Sequence, residues 1–82
     1  MNNETRRPLH VIANEIARDW TKPYFGAVPY LGAMRTLENM RSTYGYDDAQ
    51  SIVAYFIANA ATWKGETARR VKAELRAMLK DR

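Results

Sequence analysis

Between Ala49 and Trp63 the chain runs for 15 residues without a charge, although 27% of its residues are Asp, Glu, Lys or Arg. A helix that spans a bilayer needs about 20 apolar residues, and this run is both shorter and interrupted by Gln50, Ser51, Asn59 and Thr62. It therefore belongs in the core of a folded domain, and a chain of 82 residues has room for only one. The sequence contains no cysteine, so neither disulfides nor thiolate-bound metals reinforce that core. Side-chain packing has to hold it, near the lower size limit at which packing suffices.

Hydrophobic periodicity predicts an all-α bundle of about four helices, over residues 8–20, 29–41, 48–63 and 66–80. In the first, Leu9, Ile12, Ala13, Ile16 and Trp20 share a face, and Pro8 suits the opening turn. Pro23 interrupts the pattern, and Pro29 opens a second run with Tyr30, Ala33, Met34, Leu37 and Met40 on one side. Gly45 centres a linker, after which Asp47 and Gln50 have the spacing of a capping box. Neither face of the third helix is charged: Ile52, Val53, Phe56 and Ile57 lie on one side, and Ser51, Ala54, Ala58 and Ala61 on the other. Such a helix is expected to stand at the centre of the bundle, or to close its small-residue face against a second copy through Ala54, Ala58 and Ala61. The central position is the expectation adopted. Residues 8–82 form the domain, preceded by a flexible polar stretch at 1–7.

The net charge of +4 is unevenly placed. Residues 1–63 hold six Lys and Arg against six Asp and Glu, whereas residues 64–82 hold seven against three. At 100° per residue the fourth helix sets Arg69, Lys72, Arg76 and Lys80 in a line beside an apolar face of Ala68, Val71, Leu75, Met78 and Leu79. On the other flank, Glu66, Arg70 and Glu74 fall at i, i+4 spacing and are expected to pair with one another. Four cations are then left to face an acidic partner or a phosphate backbone. Basic residues beside an apolar face also commonly remain solvated, with their stems covering the edge of the core.

Six of the nine aromatics flank the two inter-helix loops: Trp20, Tyr24, Phe25 and Tyr30 at the first, Tyr44 and Tyr46 at the second. Loop aromatics commonly fold back to close a core; alternatively, Tyr24, Phe25 and Tyr30 form an anchor patch for a protein partner. Little in the chain suggests catalysis. Its one histidine, His10, stands at the margin of the first apolar face, Asp47 and Asp48 are explained by capping, and Lys64-Gly65-Glu66-Thr67 lacks the spacing of a phosphate-binding loop. No enzyme activity, cofactor or metal site is expected.

The stretch Tyr24-Phe25-Gly26-Ala27-Val28-Pro29-Tyr30-Leu31 follows a Trp-ended helix. Later in the chain Tyr44-Gly45-Tyr46-Asp47 leads through Tyr55-Phe56 to Thr62-Trp63-Lys64-Gly65-Glu66-Thr67-Ala68. This wording, over about residues 8 to 80, resembles small uncharacterised all-helical accessory proteins of tailed bacteriophages. The resemblance implies action in a host bacterial cytoplasm by binding a host or phage macromolecule, and it assigns no functional residues. A cytoplasmic location is also expected from the polar N-terminal residues, which carry no signal-like apolar stretch. The leading functional expectation is a non-enzymatic module that binds a protein through the aromatic loop, the basic helix, or both. The alternative is nucleic-acid backbone binding through Arg69, Lys72, Arg76 and Lys80. No membrane partner is expected, and the chain is read as a monomer or homodimer.

Overall fold

A computed structural model describes residues 6–45 and 47–80, with the Tyr44 side chain excepted. The fold is an all-α bundle of four helices: α1 (Leu9–Asp19), α2 (Val28–Met34), α3 (Ala49–Ala58) and α4 (Glu66–Lys80). A single turn of 3-10 helix, Phe25–Ala27, leads into α2, and a minimal hairpin of β1 (Thr43–Tyr44) and β2 (Asp47–Asp48) leads into α3.

Helices α1 and α4 begin and end close to their predicted limits because their apolar stripes are uninterrupted. In α1 the stripe of Leu9, Ile12, Ala13 and Ile16 is fully buried, and in α4 Ala68, Val71, Leu75 and Met78 face inward. The first amides of α1 have no acceptor within their own helix. Leu9 and His10 instead donate to the carbonyls of Glu38 and Leu37, at 2.9 and 3.0 Å.

That contact helps to explain why α2 stops at Met34 rather than near residue 41. Past Met34, side chains compete with the helical ladder for backbone partners. Thr36 Oγ1 donates to the Ala33 carbonyl, Ser42 Oγ accepts from the amides of Glu38 and Asn39, and Asn39 Oδ1 accepts from the Arg41 amide. The segment leaves its helix but keeps its apolar face, since Leu37 and Met40 remain buried.

The capping of α3 falls one residue later than predicted. Asp48, not Asp47, accepts the Ser51 amide at 2.8 Å, because the helix begins at Ala49 directly after the hairpin and Asp48 is the residue at its N-cap. Gly45 makes the turn at φ 63°, a conformation costly for any residue with a Cβ. Helix α3 then ends at Ala58 instead of residue 63. Asn59 terminates it by turning its amide group back onto the Tyr55 carbonyl, Nδ2 to O 2.9 Å, and successive turns carry the chain through Ala60 and Trp63.

Helix α3 is not a central pillar. The principal helix packings run α1 to α2, α2 to α3, α3 to α4 and α4 back to α1, so the four form a ring. The centre is filled by side chains from all sides, among them Leu9, Ile16, Met34, Phe56, Val71 and Leu75. One face of α3 closes this core through Ala49, Ile52, Val53 and Phe56, and the opposite face, with Ala54 and Ala58, is at the surface. The sequence pattern misleads here because alanines on an exposed face carry as little charge as alanines in a core. No helix among the described residues is long and apolar enough to cross a membrane.

Candidate functional site

Electrostatics on α4 differ from the expected pattern on both flanks. The pairing of Glu66, Arg70 and Glu74 within the helix is replaced by a network that ties α4 to α1. Arg7 directs Nε and Nη2 to the two carboxylate oxygens of Glu74, at 3.1 and 2.7 Å. Its Nη1 lies 2.8 Å from Glu15 Oε1, and Arg70 donates to Glu15 Oε2. Bonding to Glu74 holds the Arg7 guanidinium well above its ordinary value, against a smaller opposing effect of burial. Arg70, then Arg7, hold the Glu15 carboxyl below its ordinary value despite desolvation. Arg7 therefore belongs to the folded unit and not to a free N-terminal tail; residues 1–5 lie outside the described residues.

The line of four cations becomes three with a fourth turned inward. Lys72 donates from Nζ to the Trp63 carbonyl at 2.6 Å and lies 5.8 Å from the centroid of the Trp63 ring. Its position on the helical wheel, about 60° from Arg69 toward the apolar face, explains the turn. Desolvation lowers its proton affinity, and the charges of Arg76 and Lys64 lower it further. Arg69, Arg76 and Lys80 are exposed, and no ion pair engages them among the described residues.

The loop aromatics divide between core and surface. Trp20 folds inward: its ring stacks on Trp63 with centroids 5.8 Å apart and meets the edge of Phe56. Trp63 is 2% exposed and donates Nε1–H to Asp19 at 2.8 Å. These three rings seal the end of the core where α1, α3 and α4 meet.

Tyr24 and Phe25 do the opposite, being 45% and 80% exposed, with their rings in contact at 4.8 Å. Val28 and Tyr55 are likewise about half exposed, and Tyr30, half-buried, packs its ring 5.4 Å from that of Tyr55. The 3-10 turn reaches α3 at Gly26, where an added Cβ would lie 2.5 Å from the Tyr24 ring and 2.8 Å from Asn59 Oδ1. Only a residue without a side chain lets the turn and its aromatics sit this close to the end of α3.

The structure thus brings Tyr24 and Phe25 together and links Tyr30 to Tyr55 on α3. The exposed Ala54 and Ala58 share the open side of α3 with Tyr55, and Ala61 is exposed in the turn beyond it. Two members of the surface, Val28 and Tyr55, were missed from sequence. Tyr55 could have been found, since at i+4 from Ser51 it falls on the small-residue face. Tyr46 and the Tyr44 side chain lie outside what is described.

Other chemistry is sparse. His10 Nε2 lies 3.4 Å from Glu38 Oε1, with the imidazole half-buried and the carboxylate exposed. Among the described residues no group of three or more His, Asp or Glu side chains is arranged to hold a metal ion. In comparisons with known proteins, no protein family, curated protein or solved structure matched the chain.

Proposed function

We propose that the chain is a non-catalytic binding module that engages a protein through the uncharged surface of Tyr24, Phe25, Val28 and Tyr55, flanked by Tyr30. The observation that carries this reading is Phe25, a phenyl ring 80% exposed on a turn that close packing at Gly26 holds in place. Displaying such a ring to water forgoes about 1.5–3 kcal/mol of burial, which association with a partner recovers. Its neighbours add two tyrosines, a residue type enriched among interface anchors, and no charge that would need desolvation. Because the ring contacts Tyr24 before binding, part of the ordering cost of association is already met. The basic helix is the weaker protein contact, since Lys72 is occupied by Trp63.

The phage-like wording of the chain makes a bacterial lysate the natural place to seek the partner. Affinity capture with the wild type, Phe25→Ala and Tyr24→Ala tests the reading. The wild type is expected to retain a specific protein at about 0.3 M salt, where exposed charge pairs are largely screened. Both variants are expected to lose it while keeping the wild-type melting temperature. Equal recovery by wild type and Phe25→Ala overturns the proposal. Self-association that Phe25→Ala abolishes identifies a second copy of the chain as the occupant.

A further inference from the structure

The outward crest of α4 supports an inference that is independent of the aromatic surface. Every other basic side chain on this helix has a local role. Arg70 is neutralised by Glu15, and Lys72 is bound to the Trp63 carbonyl. Arg69, Arg76 and Lys80 remain, exposed and without an ion pair among the described residues. Glu74 faces away from this row and is committed to Arg7, and the exposed Glu66, one turn before Arg69, makes no ion pair among the described residues. Between the cations the crest carries only Ala73 and Ala77, both exposed. Long basic side chains separated by methyl groups leave room for a broad polyanion to approach the helix closely.

Spacing discriminates among polyanions. Along the axis Arg69 and Arg76 are separated by about 10 Å, and Arg76 and Lys80 by about 6 Å, on a rigid rod. A duplex strand presents its phosphates as a dense, fixed row, so cations about 6 to 10 Å apart on a rigid helix can each meet one without ordering the partner. An acidic peptide offers no such fixed array and would have to be ordered on binding. Between its cations the crest carries no Asn or Gln to read adenine, and no acidic side chain to read cytosine. Burial lowers the proton affinity of Lys72, and the like charges of Arg76 and Lys64 add a smaller effect in the same direction.

We infer that Arg69, Arg76 and Lys80 form a phosphate-backbone contact for double-stranded DNA that is indifferent to base sequence. The test is fluorescence anisotropy with two labelled 20-base-pair duplexes of unrelated sequence. Three phosphate contacts predict a slope of about −2.7 for log affinity against log salt, an affinity loss of about 40-fold between 50 and 200 mM. Both duplexes should bind alike. The triple variant Arg69→Ala, Arg76→Ala, Lys80→Ala should abolish binding while its thermal melt matches the wild type. Arg69→Lys with Arg76→Lys should keep the slope. Three results overturn the inference: no binding at 20 mM salt, a slope that the triple alanine variant leaves unchanged, or equal or tighter binding of a polyglutamate peptide of matched charge.

Discussion

Glu15 is the carboxylate through which α1 holds Arg7 and Arg70 together, and replacing it with glutamine tests whether that network stabilises the bundle. The side chain is 23% exposed and its partners 32% and 55%, so solvent screens the network appreciably. A contact pair at an effective dielectric of about 20 gains roughly 4 kcal/mol before desolvation, whereas exposed pairs measure about 0.2–1 kcal/mol net. With that discount, each of the two Glu15 pairs contributes about 0.5–1 kcal/mol, and Glu15→Gln should cost about 1–2 kcal/mol. For a domain of this size each kcal/mol lowers the melting temperature by about 4–8 °C.

Melts followed by circular dichroism at 20 mM and 500 mM salt measure the effect, and the gap between wild type and variant should narrow at high salt. The sign with pH follows from the depressed Glu15 carboxyl. Its stabilisation is fully present above the ordinary carboxylate value of about 4.3 and is lost as pH falls through the lower value of the folded state. The difference between wild type and Glu15→Gln should therefore shrink between about pH 5 and pH 3. A cost below about 0.3 kcal/mol at low salt and neutral pH, close to what the weakest single exposed pair gives, would refute the network as a source of stability.

Trp63→Ala should cost about 3–5 kcal/mol, since it removes a buried ring, its stack on Trp20 and its bond to Asp19; urea titration measures this. Replacing both Ala54 and Ala58 with lysine should change stability by no more than about 0.5 kcal/mol, because both positions are at the surface. An unfolded double variant would restore the idea of a wrapped α3. Gly65→Ala should lower the melting temperature by several degrees, because the residue sits at φ 110° and the added Cβ strains the entry to α4 by about 1–2 kcal/mol.

Helix number, type and order were readable from the amino-acid sequence because each apolar stripe repeats with helical period. The ends of α2 and α3 were not. Their apolar faces continue past the last helical residue, at Leu37 and Met40 and at Ala60 and Trp63, so periodicity cannot tell a helix from a turn that buries the same residues. The polar side chains that stop them, Thr36, Asn39, Ser42 and Asn59, act through backbone hydrogen bonds that no spacing rule displays. The basic row was three-quarters legible. A helical wheel gives the direction of Lys72 but not the carbonyl waiting in the loop before α4. Glu15 and Arg7 are far from Arg70 and Glu74 in sequence, so no spacing within α4 displays a pairing that depends on α1 and α4 lying side by side. Exposure of Phe25 was the least legible feature, because two large aromatics flanking the same loop, Trp20 and Phe25, take opposite sides.

Trp20 and Trp63 are the only two indoles in the chain, and they lie within 13° of parallel. Rings held in that way share electronic excitation, so the near-ultraviolet circular dichroism and the emission of the native protein belong to the couple rather than to either chromophore. One ring closes the first helix and the other precedes the last. Loss of their common spectrum would therefore time the parting of the two ends of the bundle, with no dye attached.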